Sequence, residues 1–277
     1  MKIINFNHFS NEFRLLGVDE AIDHTLRLGF EGVEFLSFYN DETPLFENVR
    51  AACETKKALD KGGVAVGCYS MLADLTIADP ELCLNSVFRN IEYAAALEAP
   101  YFHHTLIPYF GDAYGFSDYS EALSSVLEKA ERIAEYCEKY GITTIYEPQG
   151  KYINGVFGLG TFLDKMKKRH SNVGVCGDTG NSYFVDETPE NIFLSFAKDI
   201  KHIHIKDYLV KEPEEVEECG QRSIKGKCIY STPLGEGNID FKKLFSSLYN
   251  YDGYVSLEFV GTDDQMKKSV DFIRDIF

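Results

Sequence analysis

Short apolar runs alternate with amphipathic segments along this 277-residue chain. The apolar runs predict strands, and the segments between them carry apolar residues spaced three and four apart, which predicts helices. Glycine follows several helical segments, as at Gly29 and Gly141, and glycine is typical of helix C-termini. The predicted strands are 3–9, 32–35, 65–71, 101–106, 142–150, 172–181, 201–208 and 254–259, and the predicted helices are 18–29, 48–63, 79–100, 118–140, 158–169, 188–199, 239–250 and 262–277.

Eight strand–helix units in a chain of this length are typical of an α/β protein that forms a single (β/α)8 TIM barrel. We therefore expect one domain over residues 1–277, without a linker. A doubly wound open sheet is the alternative, but no G-x-G-x-x-G follows the first strand and the number of strands is high for that fold. A long charged loop, 209–237, follows the seventh strand, and loops of that length are usually functional or disordered.

The composition argues against several classes of protein. The chain has 28 Lys and Arg against 44 Asp and Glu, a formal charge of −16, whereas nucleic-acid binding needs clustered basic residues. No apolar run approaches the ~18 residues of a membrane span, and the N-terminus lacks the apolar core of a signal peptide. The seven cysteines are dispersed without a C-x-x-C, which favours a reducing compartment over a disulfide framework. We expect a soluble cytoplasmic protein with no nucleic-acid or membrane partner, and leave open whether it forms a homo-oligomer.

Ionisable residues fall near the carboxyl ends of the last four predicted strands. Glu147, Asp178 and Glu258 end strands five, six and eight, and His204 lies in the last half of strand seven. In a TIM barrel this end carries the chemistry, and we expect the four residues at the same height. Taken singly, each has an ordinary alternative as a strand-end side chain that meets water. Together, three carboxylates and one imidazole suit Mn²⁺, Mg²⁺, Co²⁺ or Zn²⁺.

The stretch KHIHIKDY (201–208) contains two histidines with different expected roles. Alternation along a strand puts His202, His204 and Lys206 on one face and Asp207 on the other. His204 is nearer the carboxyl end and is the expected metal ligand, whereas His202 is expected to support it or to fill the barrel interior. Lys206 is either a residue that steadies an enolate or phosphate or a solvated strand-end lysine. Asp207 is expected to be structural or to support a ligand.

Six motifs resemble, in order, those of the xylose-isomerase-like sugar phosphate isomerase/epimerase superfamily. They are LGFEGVEF (28–35), IYEPQG (145–150), GDTGN (177–181), HIHIKD (202–207), PLGEGNID (233–240) and YVSLEF (254–259). The resemblance implies a TIM barrel that holds one divalent metal ion through Glu147, Asp178, His204 and Glu258. It also implies that Glu147 and Glu258 move a proton at the carbon next to a substrate carbonyl, through an enediolate that the ion stabilises.

Two positions depart from the keto-sugar 3-epimerases of this superfamily. Asn181 stands where those enzymes have a histidine, and Val210 stands where they have an arginine that holds the substrate. These differences leave open aldose–ketose isomerisation, and dehydration or β-elimination of keto sugars and keto-cyclitols. The related three-zinc apurinic endonucleases need further histidines, of which only the strand-four candidate, His104, is present, and the net charge also argues against DNA repair.

The candidate substrate-binding residues are His104, Asn181, Lys206 and Glu236. His104 is expected to face the barrel mouth, where Ser70 holds the corresponding place on strand three, and the alternative is a histidine satisfied by backbone groups. Glu236 lies between two glycines, a pattern that is also common in simple turns. Aromatic residues near strand ends are candidates for the wall of a sugar pocket or for ordinary packing, namely Phe6, Phe38, Tyr69, Tyr109, Phe110 and Phe116.

These observations predict a divalent-metal-dependent isomerase or epimerase that acts on a small sugar or keto sugar, with or without a phosphate. The alternative is a metal-dependent lyase, a dehydratase or eliminase of a keto-cyclitol, dehydroshikimate or 3-keto-glycoside. A third hypothesis is a non-catalytic sugar-binding subunit, which a metal-binding assay separates from the two enzymes.

Overall fold

A closed barrel of eight parallel strands forms the centre of the molecule in the computed structural model, which describes residues 1–39, 44–77, 79–108, 115–248 and 251–277. The strands of the barrel are β1 (Lys2–Asn5), β2 (Gly32–Phe38), β3 (Ala65–Leu72), β4 (Tyr101–His104), β5 (Thr143–Tyr146), β6 (Val173–Asp178), β7 (Ile200–Ile205) and β11 (Tyr254–Leu257). Around the barrel they run in the order β1, β11, β7, β6, β5, β4, β3 and β2. The TIM-barrel prediction is confirmed, and the open-sheet alternative is wrong.

Helices surround the barrel and bury their apolar faces against it. The α5 face that sequence spacing predicts is buried at Val126, Ala130 and Ile133, and polar side chains such as Asp118 and Thr262 cap helix N-termini. No helix within the described ranges is long and apolar enough to cross a membrane. The bounds are α1 (Asn7–Leu16), α2 (Val18–Arg27), α3 (Val49–Gly62), α4 (Pro80–Ala96), α5 (Tyr119–Lys139), α6 (Gly155–Lys167), α7 (Pro189–Phe196), α8 (Phe241–Phe245) and α9 (Asp263–Ile276).

The first predicted strand, 3–9, is too long. The strand ends at Asn5, whose side-chain Oδ1 accepts a hydrogen bond from the Phe9 N–H at 3.0 Å and so supports the first turn of helix α1. Phe9 and Phe13 are four residues apart, which places both on one face of this helix, and each packs edge-on against Phe35 of the barrel. From Asn7 onwards the helical spacing of the apolar residues, rather than strand alternation, therefore matches the observed structure.

The long segment after strand seven is a folded unit. Predicted strand 201–208 divides, because β7 ends at Ile205 and a separate strand begins at Asp207. The new strands are β8 (Asp207–Lys211), β9 (Gln221–Arg222) and β10 (Cys228–Thr232), which pair antiparallel in the order β8, β10, β9. This small sheet contacts the turn that follows β6, where Ser223 Oγ donates to Asp186 Oδ1 at 2.8 Å. The segment 209–237, predicted as a long loop, thus contains short strands joined by irregular stretches.

The same sheet carries a disulfide between Cys219 and Cys228. Strand pairing brings their Cα atoms to 5.2 Å, a separation that a disulfide can bridge. The expectation of dispersed thiols fails for this pair, because nothing in their spacing reveals a chain that doubles back between them. The other five cysteines are free.

Candidate metal centre and active site

The four residues predicted to bind metal converge at the carboxyl end of the barrel. Glu147 follows β5, Asp178 ends β6, His204 lies in β7 and Glu258 follows β11. One nitrogen or oxygen atom from each lies within 4.8 Å of the corresponding atoms of the other three. Three of these residues are buried and the Glu258 side chain is 24% exposed, so the group has one solvent-facing side.

The backbones of these residues are not all at one height. Asp178 and Ser256 both pair with His204, on either side of β7. Glu258 therefore stands two residues beyond the level of His204, and its longer side chain reaches back. The expectation of equal height holds for Asp178 and His204 but not for Glu258.

The two nitrogens of His204 face different partners. Nδ1 lies 3.0 Å from Glu147 Oε2 and 3.5 Å from Glu258 Oε2, whereas Nε2 lies 3.0 Å from Glu34 Oε1. The Phe6 ring stacks on the imidazole with centroids 4.8 Å apart. His204 therefore turns Nδ1 towards the cluster of candidate ligands and Nε2 towards the barrel interior.

Glu34 is a site residue that sequence reasoning missed. Its side chain is fully buried, and its oxygens accept hydrogen bonds from the hydroxyls of Ser70 and of Ser256, the latter at 2.5 Å. His202 Nε2 lies 2.8 Å from Glu34 Oε2, which agrees with the supporting role expected for His202. Burial raises the pKa of Glu34, but the imidazoles of His204 and His202 outweigh it and hold the pKa well below its usual range. A carboxylate on the far nitrogen of a metal-binding histidine orients the ring and selects its tautomer.

The structure places His103, rather than His104, on the inside of the barrel. His103 Nδ1 lies 2.9 Å from Ser70 Oγ, and its Nε2 lies 3.5 Å from Glu147 Oε1. His104 instead packs edge-on against Tyr146, with centroids 5.0 Å apart, so the prediction that it faces the mouth is wrong. Side chains alternate along this strand as expected, but the residue that points into the barrel is His103, one position before the predicted His104. Burial lowers the pKa of both histidines, to about 4 for His104 and well below its usual range for His103.

Lys206 lies among the candidate ligands. Its Nζ is 2.7 Å from Glu258 Oε2 and 3.0 Å from Asp178 Oδ2, and it donates to Asn181 Oδ1 at 3.0 Å. The side chain is buried, so the solvated-lysine alternative is wrong. Burial lowers the pKa of Lys206, but Asp178 and Glu258 outweigh it and raise the pKa well above its usual range. A fixed positive charge therefore stands beside the carboxylates.

The same group of charges sets the protonation of Glu258. Burial raises the pKa of Glu258, Lys206 lowers it and Asp178 raises it, with a result of about 7.

Asn181 is held in place by Asp178, since the Asn181 N–H donates to Asp178 Oδ1 at 2.6 Å. Its buried Nδ2 has no hydrogen-bond partner among the described residues, which leaves a donor available.

Glu236 and Asp207 lie in the turn that leads to α8. Glu236 is exposed, and its N–H donates to the carbonyl of Pro233 at 3.2 Å, so the structure does not bring it to the candidate ligands. Asp207 Oδ2 accepts from the N–H groups of Gly235 and Gly237 at 3.0 and 2.9 Å. The prediction of a structural role for Asp207 is confirmed.

The cavity beside the cluster is lined by Glu147, His204, Glu258 and His103 and has a volume of about 110 Å³. Among the aromatic candidates, Phe6 and Phe38 line this cavity. Tyr69 instead stacks with Phe35 and with Phe102. Phe116 packs on Tyr152. Tyr109 and Phe110 lie outside the described residues. Small-molecule sites commonly combine apolar walls with a few polar groups in this way.

The four-residue cluster fits a hard or borderline divalent ion. Asp178 Oδ2 and Glu258 Oε2 are buried, and within the described ranges neither accepts a hydrogen bond, although the Lys206 ammonium lies at ion-pair distance. Buried carboxylate oxygens need a counter-charge, and three carboxylates with one imidazole suit Mn²⁺, Mg²⁺, Co²⁺ or Zn²⁺.

The model of the family described as xylose isomerase-like TIM barrel matches residues 22–276. The chain belongs to this family. A curated relative, inosose dehydratase from Clostridium perfringens, is 32% identical over 85 residues, which cover 29% of this chain and 28% of the relative. The chain thus matches less than a third of that protein's length.

Two solved structures share the fold. D-allulose 3-epimerase from Methylomonas sp. has a TM-score of 0.74 and 17% identity, and the match covers 100% of this chain and 98% of that one. The probable 3-DHS dehydratase of petrobactin synthesis from Bacillus anthracis has a TM-score of 0.73 and 16% identity, with 99% of each chain covered. An epimerase and a dehydratase resemble the chain equally well, so fold similarity does not select the reaction.

Proposed function

We propose that this protein is a divalent-metal-dependent isomerase or epimerase of a small sugar or keto sugar. The observation that carries the proposal is the position of Glu147 and Glu258, which flank His204 Nδ1 and line the same cavity. Two carboxylates that reach one substrate can remove a proton and return it. Epimerisation in particular needs one group on each face of the reacting carbon, because the proton leaves from one face and returns to the other.

Glu147, Asp178, His204 and Glu258 are the residues that would hold the ion. The bound ion would supply Lewis-acid stabilisation of the negative charge that develops on substrate oxygens. Mn²⁺ is the first ion to test, because oxygen-rich sets with one imidazole suit it. Glu34 holds the far nitrogen of His204, so Nδ1 keeps its direction towards the cluster.

Proton transfer is assigned to the two glutamates. Glu258 stands on the solvent-facing side of the cluster and is assigned as the group that returns the proton to the substrate. Glu147 is then the base that takes the proton from the carbon next to the carbonyl. Lys206, Asn181 and His103 are proposed to bind substrate oxygens, in place of the His104 and Glu236 expected from the sequence.

A lyase is the second candidate. The curated relative is an inosose dehydratase, and Asn181 and Val210 depart from the pattern of the 3-epimerases that the sequence resembles. Val210 lies in β8, and its apolar side chain offers no charged group to a substrate. Dehydration begins with the same proton abstraction and then expels the hydroxyl group of the next carbon. A protonated Glu258 can donate its proton to this hydroxyl group, which then leaves as water.

The test is a screen of keto sugars, aldo sugars and keto-cyclitols with Mn²⁺ in deuterium oxide. Epimers or isomers that carry deuterium at the reacting carbon support the main proposal, and dehydrated products support the lyase. Glu147→Gln and Glu258→Gln should each abolish exchange, and Glu236→Gln is the matched control because that side chain is exposed. Activity that survives both active-site substitutions would overturn either reaction. A protein that binds a sugar, but neither Mn²⁺ nor any other divalent ion, would be a binding subunit instead.

We also propose a cytoplasmic location, which the five free cysteines among the described residues support. The Cys219–Cys228 disulfide is the opposing observation, because disulfides are rare in reducing compartments.

A further inference from the structure

A second cluster of metal-binding side chains lies outside the active site, where α1 packs against α2. His8 and Glu12 are one turn apart on α1, and His24 projects from α2. His8 Nε2 lies 3.4 Å from Glu12 Oε1, and His24 Nδ1 contacts the same oxygen. The three side chains are only 12–16% exposed, and the three atoms lie within 4.8 Å of one another.

Hydrogen bonding within the cluster is incomplete. His8 Nε2 and Glu12 Oε2 are both buried, and among the described residues neither has a hydrogen-bond partner. Burying such atoms without a partner costs free energy. Two imidazole nitrogens and one carboxylate oxygen supply three of the four ligands of a tetrahedral shell, and an ion bound by them would satisfy all three groups.

Asp263 lies on the other side of the His24 ring. Its Oδ2 lies 3.1 Å from His24 Nε2, at ion-pair distance. A carboxylate on the far nitrogen keeps the proton there and leaves the near nitrogen free to bind a metal. The orientation of His24 is thus the one that a metal-binding histidine adopts.

The backbone beneath the cluster is fixed by contacts that need no ion. Asn5 at the end of β1 accepts from the N–H of Phe9, next to His8, and donates to Thr25 Oγ1, next to His24, at 2.9 Å. One buried side chain therefore sets the positions of both helices. We expect variants of the three candidate ligands to fold for this reason.

We propose that His8, Glu12 and His24 form a second divalent metal site, suited to Zn²⁺, with Asp263 as a positioning residue. Two histidines and one glutamate with an open fourth position are an established zinc ligand set. The ion would tie α1 to α2 beside Asn7, which lines the active-site cavity. The inference concerns a different set of residues and does not depend on the proposed function.

The experiment measures zinc bound per chain. Tag-free protein is dialysed against micromolar Zn²⁺ and its metal content is determined by mass spectrometry for the wild type, Glu12→Gln, Asp178→Asn and the exposed control Glu20→Gln. If both sites exist, the wild type and the control bind two ions, and Glu12→Gln and Asp178→Asn bind one each. If only the active-site proposal fails, the wild type binds one ion, which Glu12→Gln loses and Asp178→Asn keeps.

The proposal is overturned if Glu12→Gln binds as much zinc as the wild type. Should Glu12→Gln fail to fold, as judged by circular dichroism, His8→Gln serves as the test, with the same loss of one ion expected and unchanged zinc content overturning the proposal. Asp263→Asn should keep the ion but weaken its binding about 10- to 100-fold, measured by competition with a chromophoric chelator.

Discussion

Replacement of Glu34 by Gln tests whether this buried carboxylate holds His204 in place. Gln keeps the size of the side chain but removes its charge and turns one acceptor oxygen into an NH₂ donor. Glu34 Oε1 lies 3.0 Å from His204 Nε2, and Oε2 lies 2.8 Å from His202 Nε2. One of these imidazoles must therefore lose its acceptor in the variant.

Two magnitudes follow from these contacts. A hydrogen bond to a charged group contributes about 1.5–3 kcal/mol to the free energy of unfolding, so Glu34→Gln should destabilise the metal-free protein by about that amount. Loss of a partner on the far side of a metal-binding histidine costs about 10- to 100-fold in metal affinity. Both effects should occur in the same variant.

The assays are urea unfolding in the presence of EDTA and Mn²⁺ titration by calorimetry. Glu236→Gln makes the same chemical change at an exposed side chain, and we expect it to alter the free energy of unfolding by less than about 0.5 kcal/mol. A Glu34→Gln protein that binds Mn²⁺ within twofold of the wild type would refute the role assigned to Glu34.

Three further predictions concern the surroundings of the site. Lys206→Gln leaves the buried oxygens Asp178 Oδ2 and Glu258 Oε2 without their cation, so the metal-free protein should lose about 3–5 kcal/mol of stability, whereas Mn²⁺ should bind more tightly. Urea unfolding and calorimetry check this against the exposed control Lys201→Gln, and weaker Mn²⁺ binding would contradict it. The pKa of Glu258 in the metal-free protein is about 7, so protons compete with the ion for this carboxylate as the pH falls. Mn²⁺ affinity should therefore decrease at least about fivefold from pH 7 to pH 6. Equal Mn²⁺ affinities at the two pH values, measured by calorimetry, would contradict this prediction. A Cβ on Gly237 would lie 2.1 Å from Asp207 Oδ1, so Gly237→Ala should lower the free energy of unfolding by about 1–3 kcal/mol. Gly160→Ala is the control, because a Cβ at that position has room. Equal melting temperatures for the two variants would contradict this prediction.

The barrel could be predicted because its signal is repeated and local. Each strand–helix unit shows its own periodicity, and ligands such as Asp178 and Glu258 stand at strand ends where an apolar run stops. Glu34 was missed although the same logic applies, since a carboxylate inside the short apolar strand GVEF is costly to bury without a partner. That partner, His204, is 170 residues away, so only the closed barrel brings the two together.

Other features depend on pairings that no local pattern reveals. His103 and His104 are adjacent, and only the packing of neighbouring strands decides which one faces inwards. The sheet after β7 depends on pairing of Asp207–Lys211 with Cys228–Thr232, and the sequence between them is charged and lacks strand alternation. The helix at Asn7–Leu16 was not predicted because Phe6 and Phe9, which stand among polar residues, extend the strand pattern of β1 to residue 9.

The central claim is that Glu147, Asp178, His204 and Glu258 bind one divalent ion at the mouth of the barrel. Anomalous diffraction from crystals grown with Mn²⁺, with data on both sides of the manganese edge, tests it most directly. The account predicts an anomalous peak at coordination distance, about 2.0–2.4 Å, from His204 Nδ1 and from one oxygen of each carboxylate. A map without a peak among these four side chains, with Lys206 still in contact with Asp178 and Glu258, would contradict it.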